Sequence, residues 1–207
     1  MAHHEERQSI DSDSARGAEP STGHRRSRTE RLFVALDLPA AARAALAAFR
    51  DAEADPEVWR PVPDEALHIT LVFLGHRPPG EADAVAAVLR ECAGPAADLA
   101  LGPALLLPPR RARVLCAEVE DRAGALGELQ ARISAGLVAA GLHELERRPF
   151  RAHATVARLR AGARAPRSTR HGDPAPVAFA GEAVTLYRSH LSRAGASYEA
   201  LSLVVLG

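Results

Sequence analysis

Two short motifs in this sequence of 207 residues carry residue types suited to proton transfer: His68-Ile69-Thr70 and His153-Ala154-Thr155. An imidazole titrates near neutrality, so a pair of them can give and take a proton at physiological pH. A threonine hydroxyl can donate a hydrogen bond to a phosphate oxygen as charge builds there. Together the four groups suit phosphoryl transfer by concerted acid–base displacement, with no covalent intermediate. With nine His and six Thr in the chain, chance supplies about 0.25 such triplets, although motif matches always carry some false-positive risk. One alternative is two core histidines hydrogen-bonded by their neighbouring threonines; a polar pair on a strand face needs partners or a cleft. The other is a metal site. His-x-Thr lacks metal-ligand spacing, and no Asp, Glu or Cys stands beside either copy as an obvious further ligand. Neither a metal nor a cofactor is expected.

The elements that must position these residues can be read from hydrophobic period. RLFVALDL (31–38), HITLVFLG (68–75), RVLCAEVE (113–120) and HATVARL (153–159) are strand-like, as are AVTLYRSHL and YEALSLVVL near the end. Side chains alternate on a strand, so His68 shares a face with Thr70, and His153 with Thr155. Ile69, Leu71 and Phe73 then point to the opposite, apolar face, as do Ala154 and Val156. Pro39 opens an Ala-rich helix with Leu46 and Phe49 on one face. Residues 81–92 form a helix with Val85, Val88, Leu89 and Cys92 on one stripe. Asp121 can cap a third helix, whose stripe is Leu126, Leu129, Ile133 and Leu137 and whose stop is Gly141. Strand, helix and His-x-Thr strand thus occur twice. Leu32 precedes His68 by 36 residues, Val114 precedes His153 by 39, and the two histidines lie 85 apart. This is an internal duplication.

Composition excludes several classes. Hydrophobic residues make up 47%, enough for a sizeable core, and Lys+Arg balances Asp+Glu at 26 each. Every basic residue is Arg. Cys92 and Cys116 belong to no Cys/His cluster, and read as small core residues rather than a disulfide or zinc scaffold. No apolar run reaches the ~20 residues needed to span a bilayer, and the N-terminus has no apolar signal region. A cytoplasmic, monomeric protein without membrane attachment is expected. Residues 1–30 read as a disordered polar tail, and 31–207 as one domain of two pseudo-symmetric lobes.

RLFVALDLP, HITLVFLG, RPFRAHATVAR and LYRSHLSRAGASYEAL, in this order, closely resemble the 2H phosphoesterase superfamily. Within it they are similar to the bacterial and archaeal RNA 2′,3′-cyclic phosphodiesterases, also called 2′–5′ RNA ligases. The resemblance covers about residues 31–207. It implies a bilobal, duplicated α+β fold, with two antiparallel sheets facing across a groove and helices outside. It implies hydrolysis of RNA 2′,3′-cyclic phosphate ends, or of nucleotide 2′,3′-cyclic phosphates, to 2′-phosphates. The reverse reaction would join ends through a 2′–5′ linkage without ATP. On that pattern His68 donates a proton to the leaving 3′ oxygen, His153 activates water, Thr70 and Thr155 hold the phosphate, and Arg158 is a substrate-binding candidate. Strict alternation puts Arg158 off the face of His153 and Thr155, so a direct role needs a bend at the strand end. Ala152 and Ala154 depart from the proline and larger aliphatic that are commoner around the second motif.

Charge suggests where flanking RNA would lie. From Arg147 to Arg170 there are eight Arg and no acidic residue, with Arg110, Arg111 and Arg113 nearby in number; from Glu57 to Gly80 the balance is −1. The backbone is expected over the second lobe and the 161–176 loop, through Arg164, Arg167 and Arg170. A solvated, Arg-rich loop is the alternative. Phe33, Tyr187 and Tyr198 are candidates to stack a base, with core packing the other use of each. His76, His143, His171 and His190 have no Thr partner and read as surface or loop. Two further functional readings stay open: a 2H enzyme for another small cyclic phosphate or a 2′–5′ oligonucleotide, and a non-catalytic module binding RNA or nucleotides.

Overall fold

Strand β1 (Glu30–Asp37) begins the described structure and is buried from Leu32 through Ala35 on both faces, as suits a central strand. The computed structural model describes residues 29–165, 171–192 and 195–207. The tail expected over 1–30, together with Arg167 and Arg170, therefore falls almost wholly outside the described residues.

Helix α1 (Ala40–Glu53) follows Pro39, whose carbonyl accepts the first helical bond, from Arg43 N–H at 3.0 Å. Its buried stripe is Ala42, Leu46, Ala47, Phe49 and Arg50. A short strand, β2 (Trp59–Pro61), and one 3-10 turn (Asp64–Ala66) lead into β3 (His68–Arg77). Helix α2 (Glu81–Cys92) carries Glu81 and Asp83 in its first turn and Arg90 in its last, in accord with the helix dipole. Strands β4 (Asp98–Leu107) and β5 (Val114–Glu120) precede helix α3 (Ala125–Ala139). Gly124, at φ 76°, opens α3, and an Asp121 carboxylate oxygen accepts from Gly127 N–H at 2.8 Å. Gly141, at φ 70°, closes it, with Leu142 N–H returning to the Leu137 carbonyl, a Schellman stop. The chain ends in β6 (His153–Leu159), β7 (Ala178–Ala180), β8 (Ala183–Ser192) and β9 (Gly195–Val205).

The strand order is β7-β4-β5-β6-β3-β1-β8-β9, with β2 on β6, and every pairing is antiparallel. The duplication read from the sequence is visible in this order. Each copy supplies β1–α1–β3 or β5–α3–β6, and the two His-x-Thr strands meet in the middle. One expectation is sharpened. The two anticipated sheets are continuous through a single pair, Ile69 against Ala154. Beyond that point β3 and β6 part company, β3 running with β1 and β6 with β5 and β2. Where α2 and α3 cross, a Cβ on Gly136 would come within 2.9 Å of Val88 and 3.1 Å of Cys92 Sγ. Glycine is what permits that close approach.

Candidate active site

His68 and His153 are each the first residue of their strand. The one bridging pair, Ile69 with Ala154, sets them in relation. Antiparallel counting from it aligns His68 with Thr155 and Thr70 with His153, which sets the two motifs side by side. Each imidazole is held in the same way. His68 Nδ1 lies 2.8 Å from the Ala66 carbonyl oxygen, and His153 Nδ1 lies 2.7 Å from that of Arg151. A carbonyl can only accept, so Nδ1 carries the hydrogen in both rings and Nε2 is left for chemistry. His68 Nε2 is 3.1 Å from Thr70 Oγ1. Thr155 Oγ1 is 3.6 Å from Cys116 Sγ on the neighbouring strand.

The two histidines differ in surroundings. Phe33, Tyr187 and Tyr198 enclose His68, with ring centroids 5.0, 6.3 and 5.3 Å away. Burial there pushes its pKa down to about 4; the Ala66 hydrogen bond and the Asp37 charge oppose this, and Arg158 and His153 add to it. At neutral pH the His68 ring is therefore neutral. Burial likewise pushes the Cys116 thiol up to about 11, so it stays protonated.

Sequence reasoning missed two carboxylates. Asp37 is the direct cross-strand partner of His68, and Glu118 that of His153. The absence of acids beside the motifs in sequence thus does not carry over to space. Both acids are engaged elsewhere. Asp37 accepts from Thr185 Oγ1 at 2.6 Å and from Tyr187 Oη at 2.8 Å, and Glu118 accepts from Arg151 at 2.9 and 3.1 Å. Their signal was present as acids following the apolar run of each first strand, Asp37 in RLFVALD and Glu118 and Glu120 in VLCAEVE. Among the described residues, no three His, Cys, Asp or Glu side chains gather in a metal-holding group.

Arg158 lies on the groove side, against strict alternation, and the cause is a bulge. Leu115 pairs with Ala157 but Cys116 pairs with Thr155, so Val156 is an extra residue. Val156 and Ala157 are both buried, and the face reverses at that point. The first motif repeats the device. Val34 pairs with Val72 and Ala35 with Thr70, leaving Leu71 extra. Phe73 is consequently 42% exposed rather than facing the helices, and Arg31 sits over its ring at 4.7 Å. It is the direct partner of Phe33, on the face of His68 and Thr70. Phe33 itself is only 4% exposed and packs beneath His68. It is therefore a wall, not a free platform, while Tyr187 and Tyr198 are half-buried.

The other histidines among the described residues divide. His76 and His190 are exposed, beside Thr29 and Glu199. His143 lines a cleft against α3, where burial lowers its pKa. His171 is not at the surface: its side chain is 7% exposed and bonds Glu53 of α1 at 3.3 Å. Arg164 lines one cleft with Arg110, Arg111 and Arg113, which joins two basic clusters far apart in sequence.

Comparison with known proteins agrees with this fold. A family model described as the 2′-5′ RNA ligase superfamily matches residues 38–193. An RNA 2′,3′-cyclic phosphodiesterase of Geobacillus stearothermophilus is 31% identical over 167 residues, covering 78% of this chain and 52% of that protein. The chain thus matches about half the length of that relative. Escherichia coli LigT, crystallised with 3′-AMP, superposes with a TM-score of 0.74 at 27% identity, over 86% of this chain and 99% of that one. A Thermus thermophilus protein superposes with a TM-score of 0.68 at 32% identity, over 85% and 97% of the two chains. With paired His-x-Thr strands meeting at the centre of one antiparallel sheet and a family match over three quarters of its length, the chain belongs to the 2′-5′ RNA ligase superfamily and has the α+β 2H phosphoesterase fold.

Proposed function

We propose that the protein hydrolyses 2′,3′-cyclic phosphate ends of RNA to 2′-phosphates, with its two motif histidines as acid and base and no metal. The observation that carries this reading is the matched hydrogen bonding of His68 and His153: both rings keep Nδ1–H on a backbone carbonyl and have Nε2 for proton exchange. Thr70 and Thr155 hydroxyls hold the two non-bridging oxygens of the cyclic phosphate. His153 Nε2 takes a proton from water as its oxygen attacks phosphorus. The bond from phosphorus to the 3′ oxygen breaks, and His68 Nε2 gives that oxygen a proton. The products are a 2′-phosphate and a free 3′ hydroxyl, and the two rings have exchanged protonation states. His68 must enter this cycle protonated, against the burial that lowers its pKa. The bound phosphate's negative charge raises it again, which couples protonation to substrate binding.

Phe73, exposed on the groove face beside the first motif, offers a base a stacking surface. With a 5′ hydroxyl of a second RNA in place of water, the same step run on the cyclic phosphate forms a 2′–5′ linkage. That route needs no ATP, because the strained ring supplies the leaving bond.

The reading is tested by product analysis. A nucleoside 2′,3′-cyclic phosphate incubated with the protein should give the 2′-phosphate alone by phosphorus NMR. The 3′-phosphate as product would overturn the assignment of the leaving oxygen, and binding without turnover would favour a nucleotide-binding module.

A further inference from the structure

Two arginines face each other across β2 and β6. Arg60 is the direct cross-strand partner of Arg158, and side chains so paired project from the same side of the sheet. Like charges in that position destabilise a sheet. Three other arginines with little or partial exposure are matched with acids, Arg50 with Asp51 and Asp64, Arg77 with Glu81, and Arg188 with Glu30 and Glu199, while Arg31 and Arg43 donate to Ser189 Oγ and to the Leu38 carbonyl. Among the described residues, neither Arg60 nor Arg158 forms an ion pair. Both are only partly exposed, so water does not fully screen the repulsion. Both line one small cleft, together with Val62, Ala66 and Tyr198. Tyr198 and Ala66 also line the cleft at His68, so the two spaces adjoin. Guanidinium groups only donate, and their planar forks fit phosphate.

We propose that Arg60 and Arg158 clamp a second phosphate, the one attached to the 5′ oxygen of the terminal nucleotide. The proposal rests on the cyclic-phosphodiesterase reading. In such a substrate the reacting phosphate occupies the 2′ and 3′ oxygens, so the next phosphate along the chain is the 5′ one. Arg158 stands three residues beyond Thr155 on β6, ~10 Å of extended strand, shortened by the bulge and by the reach of two long side chains. That is the scale of one step between neighbouring phosphates. The clamp would make the enzyme favour a chain end over a free cyclic nucleotide.

The test uses the full-length protein and its Arg60→Gln variant. Three substrates are compared: a nucleoside 2′,3′-cyclic phosphate, the same compound phosphorylated at its 5′ oxygen, and a dinucleotide ending in the cyclic phosphate. In the wild type, kcat/KM should be higher for the second and third than for the first. In Arg60→Gln that ratio should fall about tenfold or more, the usual weight of a charge-assisted hydrogen bond. Equal losses on all three substrates, or no loss on any, would overturn the clamp. A calorimetric arm needs no turnover. Arg60→Gln should lose tenfold more affinity for a nucleoside 2′,5′-bisphosphate than for the 2′-monophosphate. Equal affinity of the wild type for the two would overturn the clamp. Absence of turnover with a preserved bisphosphate preference would instead sink the hydrolytic reading and leave the clamp standing. Thermal unfolding separates a structural role. Removing one of two like charges should hold or raise Tm, and a large fall in Tm would count against the proposal.

Discussion

A histidine whose Nδ1–H is tied to a carbonyl exchanges protons only at Nε2, so each ring's orientation decides what it can reach. Thr70 and Thr155 provide the hydroxyls that hold the phosphate in the proposed reaction. Replacing either by Val keeps its shape and removes the donor. Thr70→Val and Thr155→Val should each lower kcat/KM roughly 100-fold, in steady-state assays of cyclic nucleotide hydrolysis. A change under threefold would show that the hydroxyls do not meet the phosphate. The enclosed ring of His68 also makes stability depend on pH. Its pKa lies near 4 when folded, against an ordinary 6.5. Between these values the unfolded chain binds the extra proton, so stability is lost as pH falls from about 6.5 toward 4. Urea unfolding at pH 7 and pH 4.5 should show the wild type losing roughly 2 kcal/mol at most that His68→Ala does not lose. Equal losses would contradict the burial of that ring. The four motif residues were legible because their chemistry is local, His and Thr two positions apart. Asp37 and Glu118 were not, because strand pairing across more than 30 residues brings each beside its histidine.

Elements explain why Arg158 and Phe73 reach the groove. Period-two reading assumes an unbroken pleat, and an extra residue between Thr70 and Phe73 in β3, and between Thr155 and Arg158 in β6, reverses the face at those side chains. The sequence marks neither bulge, since Leu71-Val72 and Val156-Ala157 read as ordinary apolar pairs. The three helices were legible because their stripes and stops agree, as in α3 with Leu126, Leu129, Ile133 and Leu137 before Gly141. Ile133 is 1% exposed in that stripe, so Ile133→Ala should cost about 2–5 kcal/mol in urea unfolding. A cost under 1 kcal/mol would mean that α3 is not packed as described. Strand β4 escaped sequence reading because Gly102-Pro103 interrupts it, and its register with β5 shifts between Leu101 and Ala104. Strands β2 and β7, at three residues each, are too short for any period to show. Yet β2 is the strand that sets Arg60 against Arg158.

At the scale of the whole molecule, the duplication places two copies of one device on either side of a shared pair, Ile69 with Ala154. The order of elements revealed the repeat; the junction that fuses two sheets into one did not show, because a single bridge leaves no pattern in sequence. Folding also gathers arginines that sequence separates, Arg164 with Arg110, Arg111 and Arg113 around one cleft. If flanking RNA follows that cleft, replacing Arg110, Arg111 and Arg164 by Ala should flatten the salt dependence of oligonucleotide binding. The slope of log K against log salt should change by about 2 for three lost contacts to a single strand. An unchanged slope would place the RNA elsewhere. The central claim, hydrolysis by two imidazoles without a metal, is tested most directly by one assay. Turnover of a nucleoside 2′,3′-cyclic phosphate is followed in excess EDTA for the wild type, His68→Ala and His153→Ala. The wild type should keep its full rate in EDTA, and each variant should lose roughly 100-fold or more. A wild-type rate abolished by EDTA, or a variant turning over as fast as the wild type, would contradict the two-histidine mechanism.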